Sequence, residues 1–284
     1  MSPPAPFFWS PERYAAFHAC LRRYYYRYHA DAPAFRPVRD LRTRAAWADE
    51  LVRRGAHECL RDGLDEDAAA ARLLQRLRDD FRASRQHGYR AQPKTTDGLF
   101  EHEYDIAVPD AEWKDIAERA VESLRTFLRT DYARALAAVP AADRLAAGEI
   151  LRFDLLGLPV EIRPDFGART AGGVALHAWG DPRDAQRPLA RAALAWLAAS
   201  RWKAPPEGVE VVEYDFPSGP AAEHRFTAED LEAARELIHD AAYETRYPLA
   251  DPERNVAREQ DFDFIDDEAV CRSCSFLKLC ARWR

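Results

Sequence analysis

At 284 residues the chain can form one large domain or two small ones, with ample core. Hydrophobic residues make up 47% and charged residues 31%, a balance that excludes disordered and fibrous classes. A formal net charge of −7 excludes a general attraction for phosphate, so any nucleic-acid surface has to be a local basic patch. No apolar run approaches the length of a bilayer span, and the opening residues lack a secretory pattern. The expectation is therefore a cytoplasmic protein without a membrane partner.

Ser10-Pro11-Glu12 reads as a helix start, with a capping serine, proline at the first helical position and an acid in the first turn. The predicted helix carries Cys20 and continues through Arg22, Arg23, Tyr24, Tyr25, Tyr26 and Arg27 to His29. Rings interleaved with guanidinium groups suit nucleic acid, because rings stack on bases while arginines bind phosphates. Tyrosines in the core with a solvated arginine face is the plainer alternative. A second helix is expected over residues 41–60, with Trp47, Leu51 and Leu60 among its apolar positions and His57 near its end. A polar helix over residues 67–85 follows. After Val108-Pro109-Asp110 the spacing of Trp113, Ile116, Ala120, Leu124 and Phe127 marks the clearest amphipathic helix of the chain.

From Glu149 the period changes to two. Residues 150–155 and 158–166 read as a hairpin around Gly157, and Gly172-Gly173 leads into a third strand over 174–179. On the second strand Glu161, Arg163 and Asp165 share one face. On the third, His177 and Trp179 share a face. An alanine-rich helix is expected from Asp181-Pro182 to about residue 200, and a strand over 209–215 pairing with a segment near His224. Thr227 through Asp230 forms a capping box that starts a helix running to about residue 245.

The tail holds three of the five cysteines, Cys271, Cys274 and Cys280, as C-x2-C-x5-C. A tetrahedral metal or cluster site needs a fourth ligand, and no His or Cys near the tail offers one. The nearest upstream histidine is His239, and the other cysteines are Cys20 and Cys59. Cys20 is the natural fourth ligand, tying the first helix to the last residues. Zinc modules usually take their ligands locally, so a thiolate-bound iron–sulfur cluster, [4Fe-4S], is expected in preference to zinc. Buried thiols that bind nothing are the bland alternative.

Taken in order, these residues resemble the iron–sulfur branch of the PD-(D/E)XK nuclease superfamily. That branch includes RecB-type and AddB-type nuclease domains and the CRISPR-associated adaptation exonucleases. The resemblance covers nearly the whole chain. Trp9-Ser10 through Cys20 and Tyr24-Tyr25-Tyr26 look like the family's opening helix, and Gly55-Ala56-His57 like its helix with a metal-binding histidine. Pro164-Asp165 stands where the family's Pro-Asp motif stands, and Cys271, Cys274 and Cys280 match its tail. The resemblance implies a divalent metal, magnesium or manganese, held by His57 and Asp165. It also implies a carboxylate and a lysine two residues apart on the strand after Asp165, and these positions read His177 and Trp179. The Gln-x-x-x-Tyr of the next helix is missing too, since Gln186 has Ala190 four residues on.

The expected fold is α/β: a central mixed β-sheet flanked by helices, a restriction-endonuclease-like core, with a helical N-terminal region and the iron–sulfur tail. One domain is expected over 1–284, mainly helical to residue 148, with the sheet core over 149–245 and the cysteine tail over 246–284. The expected function is a nuclease-like iron–sulfur protein acting on DNA in repair, recombination or defence. Its partners would be single-stranded DNA or ends and a helicase or other DNA-processing protein. Its catalytic site would be degenerate, built from what remains of Asp165, His57, Glu161 and His177, and Arg22, Arg23, Arg27, Lys278 and Arg282 would form the nucleic-acid patch. The alternatives are an active nuclease with migrated groups, in which Glu161 and His177 serve the metal and Arg163 replaces the lysine, and a structural iron–sulfur or zinc protein with no nucleic-acid role.

Overall fold

The structure is a computed structural model that describes residues 6–180 and 186–283. In chain order it forms helices α1 (Pro11–Ala19), α2 (Leu21–Tyr28), α3 (Arg44–Asp62), α4 (Glu66–Arg85), α5 (Gly88–Ala91), α6 (Phe100–Glu103), α7 (Asp110–Leu128) and α8 (Asp131–Ala137). Strands β1 (Arg144–Ala146), β2 (Leu151–Leu155), β3 (Leu158–Ile162), β4 (Phe166–Thr170) and β5 (Gly173–Gly180) follow. The remainder is α9 (Arg187–Trp202), β6 (Val209–Asp215), β7 (Ala221–Arg225), α10 (Ala228–Arg246) and α11 (Glu268–Cys271). Among the described residues no helix is long and apolar enough to cross a membrane.

The chain divides into two compact units. The first takes residues up to Ala15, Leu60–Gly63 and Thr126–Val256; the second takes Ala16–Cys59, Leu64–Arg125 and the chain from Ala257 onward.

The first unit holds a mixed five-stranded sheet in the order β1-β4-β5-β6-β7. β4 and β5 are antiparallel, β5 and β6 are parallel, and β7 closes the far edge antiparallel to β6. A parallel pair needs a crossover, and α9 supplies it. Val174, Leu176, Val209 and Val211 bury one sheet face against Leu189, Ala193, Leu194 and Leu197 of α9. Each fully buried leucine contributes about 1.5–3 kcal/mol. At one end β5 meets the turn before β6 so closely that a Cβ on Gly173 would fall 2.0 Å from the Gly208 carbonyl oxygen. Only glycine fits there. The capping box is complete: the Asp230 N–H donates to Thr227 Oγ1 at 3.2 Å and the Thr227 N–H to Asp230 Oδ2 at 2.8 Å.

One expectation for this unit is corrected, and another falls partly outside the described residues. The strand expected over residues 158–166 is two strands: β3 pairs with β2 in a separate two-stranded sheet, and β4 belongs to the large one. Pro164 breaks the ladder because it has no N–H to donate, and Asp165 begins the new pairing by donating its N–H to the His177 carbonyl at 2.9 Å. Glu161 and Asp165 therefore do not share a strand face. The helix expected from Asp181 begins at Arg187 among the described residues, and Asp181-Pro182 lies outside them.

In the second unit the expected first helix is interrupted at Cys20. Its extended backbone makes it the N-cap of α2, with Sγ accepting the Arg23 N–H at 3.5 Å. The cysteine thus leaves the helical path, and its sulfur takes the place that a serine or aspartate oxygen occupies at ordinary caps. Tyr26, Ala30 and Val38 form a small core with Phe276, so this buried aromatic of the tail seats against α2.

Candidate functional site

Four cysteines, Cys20, Cys271, Cys274 and Cys280, line one cavity of about 20 Å³ in the second unit. That volume is the space of about one water or a single ion, so anything larger would have to spread the cysteines apart. Its wall is completed by apolar groups, among them Tyr26, Phe264, Ile265 and Phe276, and by Arg22, Arg23 and Arg282. Cys59 is 5% exposed and is not among the lining residues.

The thiols feel one another. Burial raises the Cys274 thiol above its ordinary value, with Cys20 and Cys280 adding to the rise and the Phe276 backbone N–H and Arg23 opposing it. Burial likewise raises Cys280, with Cys20 and Cys271 adding to it and the Arg282 backbone N–H and Arg22 opposing. Cys274 and Cys280, raised in this way, resist ionising together unless a cationic centre joins them. Backbone N–H groups directed at thiolate sulfurs are what tunes an iron–sulfur site. Among the described residues no group of three or more His, Cys, Asp or Glu has the geometry to hold a metal ion. A tetrahedral zinc at about 2.3 Å from each thiolate would draw the sulfurs to within about 3.8 Å of one another.

The loop between Cys274 and Cys280 is tied down from α6. Tyr104 Oη donates to the Ser275 carbonyl at 3.0 Å, and Lys278 Nζ donates to the Glu103 carbonyl at 2.9 Å while lying 4.9 Å from the Tyr104 ring centre. Burial raises the Tyr104 phenol to about 12, so it stays a donor. Of the expected nucleic-acid residues Arg22, Arg23 and Arg282 line this cavity, and most of the five have acidic partners of their own. Arg22 binds Glu259 at 2.7 Å, Arg27 binds Asp40 at 3.3 Å, Lys278 stands 3.9 Å from Asp105, and Arg282 stands 3.7 Å from Glu268. Tyr24 and Tyr26 are buried, but so is Arg22, so the plainer alternative of a solvated arginine face holds for the tyrosines and not for that arginine.

The second candidate set lies in the first unit, on the sheet face opposite α9. Asp165 is 3% exposed, and its Oδ2 accepts the Trp179 backbone N–H at 2.6 Å. His177 is 8% exposed, with Nδ1 2.8 Å from Tyr132 Oη. The Trp179 indole N–H donates to that same oxygen at 3.1 Å, so Tyr132 Oη ties the indole to the imidazole. Burial lowers the imidazole to about 4, against a smaller upward pull from Asp165. Burial pushes the Tyr132 phenol up.

Aromatic rings fill the remaining space. Tyr132 stacks on Tyr214 at 4.0 Å, and Trp179 lies 5.4 Å from Phe216 and 4.8 Å from Phe127. A lysine at position 179 would have to place its ammonium among these rings. Glu161 is held in the separate hairpin by Arg152 at 2.6 Å, and His57 is buried in the second unit. Sequence reasoning missed Tyr132. The available signal was local: Thr130 caps α8 by accepting the Ala133 N–H at 3.1 Å, and Thr-Asp is a recognisable helix start.

No family model matches the chain, and no curated protein matches it. Among solved structures, one titled "Crystal structure of SSO0001" is similar over 65% of this chain and 80% of that one, at 14% identity and a TM-score of 0.28. A likeness of that order carries no argument about fold or function.

Proposed function

We propose that this chain is an iron–sulfur protein in which Cys20, Cys271, Cys274 and Cys280 ligate a [4Fe-4S] cluster, and that its nuclease-like sheet serves DNA or partner binding without cleavage. The observation that carries the proposal is the convergence of four of the five cysteines, from both ends of the chain, on one small cavity. Such a cluster supplies cross-linking of the chain and one-electron chemistry. The chain's own groups hold the ligands in place: the Arg23 N–H at Cys20, the α6 clamp on the Ser275–Lys278 loop, and the Phe276 side chain packed beneath it.

The non-cleaving part of the proposal rests on how Asp165 and His177 are already used. Metal-assisted phosphodiester hydrolysis needs oxygen ligands open to an ion, water and substrate together. Asp165 is buried and bonded to the Trp179 backbone, and neutral His177 is engaged by Tyr132. In place of a cation that stabilises developing charge, Trp179 contributes a buried ring.

Anaerobic purification with iron and acid-labile sulfide assays tests the cluster. Near four of each per chain are expected in the wild type, with loss in Cys20→Ala. Single-stranded DNA binding, followed by anisotropy at rising salt, tests the second half. It should weaken steeply, and further on Arg22→Ala with Arg23→Ala and Arg27→Ala. Binding indifferent to salt and to these changes would remove the patch from the proposal.

A further inference from the structure

The second unit carries a feature with no part in the thiol site: an open groove of about 1080 Å³ bordered by α4 and α7, with Trp47 of α3 in its floor. Leu74, Leu77, Phe81, Trp113, Ala117 and Val121 supply its other apolar lining. Both borders are long. Leu74 to Arg85 on one helix and Trp113 to Arg125 on the other each run about 17 Å at the ~1.5 Å rise of a helix, close to three turns.

The two rims differ in charge. The α4 rim is wholly basic, with Arg78, Arg82 and Arg85 at i, i+4 and i+7 on one face of the helix. Among the described residues Arg82 meets Asp79 at 3.5 Å, and no acidic partner stands beside Arg78 or Arg85. The α7 rim is mixed, with Lys114 3.6 Å from Glu118, Glu122 beyond it, and Arg125 3.6 Å from Glu66. A basic rim on a chain of net charge −7 is a local departure from its overall field.

We propose that this groove receives an amphipathic helix from a partner protein, with its apolar face on the floor and an acidic flank against α4. The length suits anchors at i, i+3 or i+4, and i+7, the spacing that helix-in-groove recognition uses. The aromatic geometry argues for aliphatic anchors rather than stacked bases. Trp113 meets Trp47 at 76° and Phe81 at 71°, so these rings lock edge to face and present no free parallel platform. The inference is independent of the cluster proposal, because none of the groove residues lines the thiol cavity.

The test uses the full chain and three fluorescein-labelled helical peptides of about eighteen residues. One has leucine anchors with a glutamate flank, the second the same anchors with a lysine flank, and the third a scrambled order. The glutamate peptide should bind at least tenfold more tightly than either control, and more weakly as salt rises. Arg78→Glu with Arg85→Glu, both exposed changes, should reverse the preference between the two flanks. Ala117→Trp, which fills the groove, should abolish binding while leaving the thermal melt of the chain in place. Equal binding of all three peptides, or a glutamate preference untouched by the charge reversal, would overturn the proposal. So would laurate or a single-stranded oligonucleotide binding at the arginine rim when the glutamate peptide does not.

Discussion

Acidification should destabilise the first unit through one histidine. Burial holds the His177 imidazole at about 4, against about 6.5 in an unfolded chain. The folded state therefore binds fewer protons than the unfolded state between these values, and stability falls as pH drops through that window. Between pH 7 and pH 4.5 the two values give a loss on the order of 2 kcal/mol from this group alone. His177→Gln keeps a hydrogen-bond partner for Tyr132 and removes the titration, at a cost on the order of 1 kcal/mol at neutral pH. Carboxylates titrate in both proteins, so the informative quantity is the difference between wild type and variant. Urea melts at pH 7 and 4.5, followed by near-ultraviolet circular dichroism from the Trp179 and Tyr132 cluster, should show the wild type losing on the order of 2 kcal/mol more than the variant. Nuclear magnetic resonance of the imidazole should place its midpoint near 4. A midpoint near 6.5, or equal acid losses in the two proteins, would refute the buried neutral histidine.

With magnesium or manganese the wild type should cleave neither single-stranded nor duplex DNA above background, and Asp165→Ala should change nothing; metal-dependent cleavage lost in that variant would overturn the filled-site reading. His177→Asp with Trp179→Lys restores the expected groups but removes Trp179 from its contacts with Phe127 and Phe216, so a loss of several kcal/mol in a denaturant melt should accompany any weak activity. Cys59→Ala should keep full iron content and lose about 1–3 kcal/mol, whereas Cys274→Ala should lose the iron; the opposite pattern would mean the ligands have been assigned to the wrong cysteines. Thr227→Ala removes the cap of α10 and should cost about 1 kcal/mol in the same melts.

The elements legible in the sequence were those whose signals are local. The alternation through Val209–Asp215 and the Thr227 to Asp230 box each contain their own explanation, and both appear where the pattern puts them. The mixed sheet with flanking helices follows from such pieces, since a strand, a helix and a strand form a parallel pair. What was not legible depended on distant partners. The interruption at Cys20 is invisible in a run of helix-compatible residues, because a cysteine is not an ordinary cap. The switch of sheets at Pro164-Asp165 requires β5 to be in place before Asp165 can pair. At the thiol site, elimination led from the tail to Cys20, and the structure lines one cavity with all four cysteines. Around Asp165 the sequence showed His177 and Trp179 where the resemblance implies a carboxylate and a lysine; that rings from α7, α8 and β6 pack around them became visible only once those elements were packed together.

X-ray absorption at the iron edge of anaerobically purified protein, with zinc measured on the same sample, tests the central claim most directly. The account predicts iron in a sulfur shell with iron–iron scattering at near four irons per chain, abolished in Cys20→Ala and retained in Cys59→Ala. Stoichiometric zinc with a single sulfur shell and no iron would contradict it.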